Sequence, residues 1–114
     1  MTEYNFRQLH ESNVTCELYH QLKLIGIPCV AEYKIQNSRC DMVIHNETNI
    51  THIIEIKHRR VKAINFGIRQ FKRYNMICRE RNIPFIVLTR FENVTTLVND
   101  LRNNVITECK PYIY

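Results

Sequence analysis

The apolar residues of the chain recur at helical spacing in some stretches and in short strand-like runs in others. The first helical stretch covers residues 13–25 and ends at Gly26, a helix-breaking residue. Three strands are predicted next, over 29–35, 39–45 and 50–57, with short polar turns between them. The third strand carries the run Ile-Ile-Glu-Ile, which is typical of a central strand covered on both faces.

A second and longer run of helical spacing covers residues 62–81. A buried strand is predicted over 83–89 and a weaker helix over 92–104, and the aromatic tail 110–114 could dock on the body or on a partner. The predicted order is therefore helix, three strands, helix, strand, helix. This order indicates an α/β fold, a mixed sheet flanked by helices, in a single domain over residues 1–114.

The composition fits one modest core and argues against several other classes of protein. The chain has 114 residues, 45% of them hydrophobic, and no apolar run is long enough to span a membrane. Its start lacks the basic and apolar stretches of a signal peptide. The five cysteines contain no C-x-x-C pair, so free and mostly buried thiols are expected. An intracellular protein is expected, in the cytoplasm, or in a host cell if the source is viral.

Positive charge is concentrated in one segment of the chain. The formal net charge is +5, and nine of the 16 Lys and Arg residues lie between Lys57 and Arg81, opposed there by Glu80. Such a density attracts phosphate backbones, although a solvated helix face that keeps the protein soluble would look the same. The candidate phosphate contacts in this segment are Arg59, Arg60, Lys62, Arg69, Lys72 and Arg73.

The third predicted strand contains an acid and a base in an otherwise apolar sequence. Side chains alternate across a strand, so Glu55 and Lys57 point to the same side. Burying an unpaired charge is unfavourable, which leaves two explanations. Either the two side chains pair with each other or with neighbours near the sheet edge, or the carboxylate holds a cation while the ammonium faces a phosphate or a water.

The turn between the second and third strands favours the cation. Symmetric pairing about a midpoint near Thr48 puts Asp41 opposite Glu55, whereas a slip of one residue would send Asp41 to the other face. Facing carboxylates repel each other unless a cation lies between them, and their oxygens suit Mg²⁺ or Mn²⁺. Lys57 could then orient an attacking water or stabilise charge on phosphorus. Glu32 on the first strand could reach the same pocket.

Asp41, followed after thirteen residues by Glu55, Ile56 and Lys57, resembles the D-x(n)-(D/E)-x-K signature of the PD-(D/E)XK nuclease superfamily. The predicted element order over residues 13–89 agrees with the core of that superfamily. The resemblance implies a restriction-endonuclease-like fold and a metal-dependent nuclease of the small resolvase-like or VRR-type branch. The catalytic residues that it implies begin with the aspartate, the glutamate and the lysine of the signature.

The resemblance also implies roles for other residues. Glu17 in the first helix corresponds to an additional metal-site acid, and Ile56 is counted with Asp41 and Glu55 among the expected metal ligands. Gln70 and Tyr74 match a Q-x-x-x-Y pattern on the following helix, which implies a catalytic role for Gln70 and a nucleic-acid contact for Tyr74.

The sequence departs from the signature in two respects. Cys40 replaces the proline that names the motif. A serine typical of junction resolvases is not evident.

The expected function is metal-dependent hydrolysis of phosphodiester bonds in nucleic acid, with Mg²⁺ or Mn²⁺ as cofactor and DNA as the favoured substrate. Two alternatives keep the fold: a nuclease for RNA or a small nucleotide, and a non-catalytic nucleic-acid-binding module. A protein that binds an acidic partner through its basic face is a further alternative. A homodimer is expected, because 114 residues leave little surface for holding two strands alone.

Overall fold

The helices and strands follow the predicted order along the chain. A computed structural model of the protein describes residues 6–35, 38–57 and 76–112. In chain order the elements are α1 (Phe6–Leu24), β1 (Cys29–Ile35), β2 (Ser38–His45), β3 (Ile50–Ile56), α2 (helical over 76–81), β4 (Phe85–Leu88), a 3-10 turn (Phe91–Asn93), α3 (Val94–Arg102) and β5 (Lys110–Tyr112). The part of the second predicted helix that precedes residue 76 lies outside the described residues.

The strands form one mixed sheet of five strands in the order β1-β2-β3-β4-β5. β2 runs antiparallel to both β1 and β3, whereas β4 runs parallel to β3 and β5 runs parallel to β4. The predicted α/β fold with a mixed sheet is therefore confirmed. The third strand is central, and all four residues of its Ile-Ile-Glu-Ile run are buried, as predicted.

The core consists of two layers, one on each face of the sheet. On one face, α1 and α3 cover Ile54 and Ile56 of β3, with Leu18 and Leu97 among the helix residues in contact. On the other face, Ile53 belongs to a smaller cluster that includes the described end of α2. Because β3 is covered on both faces, its one acid, a glutamate, must be accommodated inside the protein.

Two elements differ from the sequence prediction. The first helix begins at Phe6, seven residues before the predicted start at residue 13. The prediction began too late because the apolar stripe that defined the helix does not continue into its first turns. The aromatic tail docks on the body: Lys110–Tyr112 forms a fifth strand on the edge of β4, and the main-chain N–H of Thr89 donates to the carbonyl of Tyr112.

The expectation of free cysteines is confirmed. All five cysteines are free, and Cys29, Cys40 and Cys78 are buried while Cys16 and Cys109 are exposed. No helix among the described residues combines the length and the apolar character that a membrane span requires.

The fifth strand is fixed to α3 by a side-chain hydrogen bond. The Tyr112 hydroxyl donates to Oδ2 of Asp100, which also lies 3.3 Å from Nζ of Lys110. The hydrogen bond from Tyr112 lowers the pKa of Asp100, so the folded state favours the charged carboxylate. The tyrosine ring itself is buried.

Replacing Tyr112 with Phe is expected to lower the free energy of unfolding at pH 7 by about 1–2 kcal/mol, because a hydrogen bond to a carboxylate is lost while the ring stays. Since the folded pKa of Asp100 is lowered, this stabilisation is present above the unfolded value and fades below about pH 4. Urea unfolding at pH 7 and pH 3 measures the difference. Tyr19→Phe at an exposed position of α1 is the control, and an equal loss in both variants would contradict the assignment.

Candidate active site

Two carboxylates from neighbouring strands lie side by side at one end of the β2–β3 ladder. The main-chain N–H of Asp41 on β2 donates to Oε1 of Glu55 at 3.2 Å. The main-chain N–H of Ile56 on β3 donates to Oδ2 of Asp41 at 2.7 Å. Each carboxylate is therefore held by the backbone of the opposite strand, and two strands of the core position the pair.

The register of β2 and β3 explains this arrangement. Met42 lies opposite Ile54, which is the register that symmetric pairing about the turn predicted. One step further along the ladder, Asp41 lies beside Glu55. There the carboxylates of Glu55 and Asp41 accept the main-chain N–H groups of Asp41 and Ile56, respectively. The predicted register is confirmed for this part of the hairpin. The pairing shifts by one residue between Ile44 and the next residue, nearer the turn and away from the acids.

Lys57 follows β3 and extends to the same carboxylates. Its Nζ lies 3.8 Å from Oε2 of Glu55, and its side chain is 25% exposed while that of Glu55 is 5% exposed. The main-chain N–H of Lys57 donates to the carbonyl of Leu88 at 3.0 Å, which fixes the lysine backbone on β4. The ammonium thus lies between the two acids and solvent, where it can face an incoming anion.

The environment of the two acids favours their protonated forms. Burial, reinforced by the negative charge of Asp41, raises the pKa of Glu55 to about 8 against the opposing charge of Lys57. Burial also raises the pKa of Asp41, although the hydrogen bond from Ile56 and the lysine charge oppose the rise. A bound cation would relieve this arrangement, in which the buried Glu55 and the half-buried Asp41 both resist ionisation.

Two further acids add negative charge around this pair. Burial is the largest cause of the raised pKa of Asp41, and the charges of Glu11 on α1 and Glu32 on β1 raise it further. The charge of Glu11 also raises the pKa of Glu55. Glu32 lies between residues of β1 that pair with β2, yet its φ of 53° belongs to the left-handed region. The suggestion that Glu32 could reach the site is consistent with its electrostatic influence on Asp41.

The acid of α1 that influences the pair is Glu11, whereas Glu17 was expected. Glu17 accepts a hydrogen bond from Gln21 at 3.0 Å, and its role as a metal-site acid stays a prediction. Sequence reasoning missed Glu11 because the predicted helix began after it. The signal was present, since Glu11 precedes the fully buried residues Val14 and Leu18 by three and seven positions, which places all three on one helix face.

Cys40, at the position of the motif proline, is a structural thiol. It is fully buried, and its Sγ donates to the carbonyl of Tyr33 at 3.1 Å. Burial and the neighbouring charge of Glu55 raise its pKa to about 12, so the thiolate that would bind a metal is disfavoured. Within the described residues, no group of three or more His, Cys, Asp and Glu side chains is arranged to hold a metal ion.

Several residues proposed from the sequence lie outside the described residues. These are Arg59, Arg60, Lys62, Arg69, Gln70, Lys72, Arg73 and Tyr74. Their roles in catalysis and in nucleic-acid binding therefore stay predictions. The same holds for Ile56 as a metal ligand, although its main-chain N–H does contact Asp41.

Comparison with known proteins identifies the family. A family model described as type I restriction enzyme R protein N terminus (HSDR_N) matches residues 2–111, which is nearly the whole chain. No curated protein and no solved structure gave a match. The family agrees with the superfamily that the Asp41 and Glu55-Ile56-Lys57 signature resembles. The chain belongs to the family of type I restriction enzyme R protein N termini, which is part of the restriction-endonuclease-like PD-(D/E)XK group.

Proposed function

We propose that this protein is a metal-dependent nuclease that hydrolyses phosphodiester bonds of DNA at the Asp41–Glu55 pair. The observation that carries the proposal is the pair itself: two strand-anchored carboxylates share hydrogen bonds across β2 and β3, with the ammonium of Lys57 3.8 Å from Glu55. A purely structural role would not require a half-buried acid beside a buried one, where burial penalises the charge of both.

The donor set fits Mg²⁺ or Mn²⁺. Hard cations of this kind prefer oxygen ligands, and Mg²⁺ often takes only one or two protein carboxylates, with water and substrate phosphates completing its coordination. Asp41 and Glu55 supply such carboxylates, and Cys40 is turned to a carbonyl instead. Ile56 stays in the proposed ligand set with them. A divalent charge beside the pair would also offset the burial and the repulsion from Asp41 that raise the pKa of Glu55.

Each residue of the site has a separate proposed role in hydrolysis. Asp41 and Glu55 would hold the metal and orient the phosphate relative to the strands. The bound cation would supply the Lewis acidity that polarises a phosphoryl oxygen and eases deprotonation of the attacking water. Lys57, at the solvent border of the pair, stabilises negative charge that develops on phosphorus or orients the attacking water. Gln70 is proposed to assist in catalysis.

The family context supports DNA as the substrate, since the matching model describes part of a restriction enzyme. The basic residues after Lys57 are the proposed phosphate contacts, and their number suits a polyanionic partner. A homodimer, an intracellular location and the finer assignment to a resolvase-like or VRR-type branch stay predictions. RNA cleavage and binding without cleavage are outcomes that the following experiment separates.

Asp41→Asn is expected to reduce cleavage by about 10³-fold or more, because several kcal/mol of charge stabilisation in the transition state depend on the metal. The assay is cleavage of linear duplex DNA, single-stranded DNA, a four-way junction and RNA, in Mg²⁺ or Mn²⁺ and in EDTA. Glu47→Gln, in the exposed β2–β3 turn, is the control and should leave the rate unchanged.

Metal-dependent cleavage by the wild type and by Glu47→Gln, lost in EDTA and in Asp41→Asn, would support the proposal. Cleavage of RNA alone would change the substrate. Salt-sensitive binding without cleavage of any substrate would favour the non-catalytic module.

A further inference from the structure

The protein has a groove of about 790 Å³ that none of the proposed metal ligands lines. It is lined by Tyr33 of β1, by residues 48–51 at the turn and the start of β3, and by residues 81–83 before β4. Two of these residues, Ile50 and Ile83, pack against the smaller core layer, which includes Ile53. The groove therefore lies on the side of the sheet opposite the layer under α1.

This side of the sheet is also the one to which Glu55 projects. Glu55 lies two residues after Ile53 on β3, and residues two apart in a strand share a face. At one end of the groove, Tyr33 pairs with the residue that precedes Asp41 on β2. Towards the other end, Thr51 precedes Glu55 by four residues, or about 13 Å of strand. A chain molecule with its reacting group at the acids can therefore continue into the groove.

The lining combines an aromatic ring, aliphatic side chains, neutral polar groups and a cation. Tyr33 is 39% exposed, so part of its ring is open to a ligand. Arg81 is exposed, and the ion pairs found among the described residues do not include it. None of the described residues that line the groove is acidic. Such a set suits a ligand that carries both flat aromatic groups and negative charge, as a nucleotide does.

We propose that the groove binds a single strand of DNA that continues from the phosphodiester at the Asp41–Glu55 pair. A base stacks on the ring of Tyr33, and the guanidinium of Arg81 binds a backbone phosphate. The inference rests on the proposed nuclease function and adds a subsite that the sequence signature does not include.

Two properties of the groove favour one strand over a duplex. Its volume of about 790 Å³ falls within the roughly 300–1,000 Å³ of sites that enclose small ligands. In a duplex, neighbouring base pairs cover the faces of the bases, so the ring of Tyr33 can stack only on an unpaired base.

Tryptophan fluorescence tests the stacking without any cleavage. The chain contains no tryptophan, so Tyr33→Trp introduces a fluorophore that reports on this position alone. The full chain is titrated in EDTA with oligodeoxythymidine and with a blunt duplex of the same length. We expect oligodeoxythymidine to quench the Tyr33→Trp fluorescence and the duplex to leave it nearly unchanged. The control is Tyr19→Trp, at a position of α1 that is 41% exposed, which should respond to neither.

The anisotropy of labelled oligodeoxythymidine measures the affinity of further variants. Tyr33→Leu, which keeps an apolar side chain but loses the ring, should bind about 5–100-fold more weakly, whereas Tyr33→Phe should bind like the wild type. Arg81→Gln should lower the slope of log K against log salt by about 0.7, the value for one phosphate of a single strand. The controls are Tyr19→Leu and Arg102→Gln, at exposed positions of α1 and α3, which should bind with the affinity and the slope of the wild type.

Each contrary outcome has a distinct meaning. Unquenched Tyr33→Trp fluorescence and wild-type affinity in Tyr33→Leu, with a wild type that cleaves DNA, would overturn this inference and leave the nuclease function intact. Equal quenching by the duplex would overturn the assignment to a single strand. Weaker binding in Tyr33→Leu with a lower urea midpoint and no quenching in Tyr33→Trp would assign Tyr33 a structural role and overturn the inference. Quenching by oligodeoxythymidine in a protein that cleaves no substrate in Mg²⁺ or Mn²⁺ would support the groove and overturn the proposed function.

Discussion

Glu55→Gln is expected to stabilise the metal-free protein at alkaline pH and to abolish its nuclease activity. The glutamine keeps an oxygen that accepts the N–H of Asp41 but carries no charge into a position that is 4% exposed. The expected gain in the free energy of unfolding at pH 9 is on the order of 2 kcal/mol, because the variant avoids the burial of a second charge beside Asp41. Removing a metal ligand should at the same time reduce cleavage by about 10³-fold or more.

The sign of the pH effect follows from the raised pKa of Glu55. The folded carboxyl keeps its proton up to about pH 8, whereas the unfolded one loses it near 4.5. Between these values the folded state binds more protons, so the stability of the wild type falls as the pH rises from about 5 to 8. The variant lacks this fall, and the two proteins should be most alike near pH 5.

Urea unfolding at pH 5, 7 and 9 in EDTA measures the effect, with Glu47→Gln as a control that should follow the wild type. A Glu55→Gln protein that is less stable than the wild type at pH 9 would mean that the carboxylate is stabilised by its neighbours, and the argument for a cation at the pair would lose its electrostatic basis. Saturating Mg²⁺ should remove most of the difference, because binding to the folded wild type stabilises it.

Lys57→Ala is expected to lower the cleavage rate by about 10²–10³-fold while metal binding is retained. Its ammonium lies 3.8 Å from Oε2 of Glu55 and its side chain is 25% exposed, so Lys57 lies beside the acids at the edge of solvent. Loss of its charge would raise the pKa of Glu55 further, since Lys57 lowers it in the wild type. A modest weakening of Mn²⁺ affinity, within about tenfold, should therefore accompany the much larger loss of rate.

The matched control is Lys110→Ala, which removes the other described lysine that forms an ion pair, 3.3 Å from Asp100 and far from β3 in sequence. Single-turnover cleavage and Mn²⁺ binding are measured on all three proteins. Unchanged cleavage in Lys57→Ala would show that the lysine has no part in catalysis. Loss of Mn²⁺ binding as complete as in Glu55→Gln would make it a structural support of the acids.

Much of the fold could be predicted because its strands are short apolar runs between polar turns. The bounds of β1 were predicted as they are, and the register that places Asp41 beside Glu55 followed from the symmetry of a single turn. The fifth strand could not be predicted in this way, because Lys110–Tyr112 is only three residues long and contains a proline, which normally argues against a strand. The proline lies on an edge strand of the sheet, where a residue without a main-chain N–H is tolerated because the strand has a neighbour on one side only.

The surroundings of the candidate site were less accessible to sequence reasoning. Nothing in the sequence of β1 marks Glu32 as a residue with positive φ, since glutamate has no preference for the left-handed region. On β1, Ala31 packs against the core layer under α1 and Ile35 belongs to the opposite layer, a change of face that regular alternation along a strand does not predict. Glu11 could have been found by extending the stripe of Val14 and Leu18 backwards, but the polar start of α1 gave no reason to begin the helix there.

Mn²⁺ titration followed by electron paramagnetic resonance would show whether Asp41 and Glu55 together hold the divalent cation. The measurement needs no knowledge of the true substrate. We expect one Mn²⁺ site per chain that Mg²⁺ displaces and that disappears in both Asp41→Asn and Glu55→Gln, while Glu47→Gln and Lys57→Ala retain it. Mn²⁺ binding of wild-type strength in either acid variant, or none in the wild type, would contradict the claim.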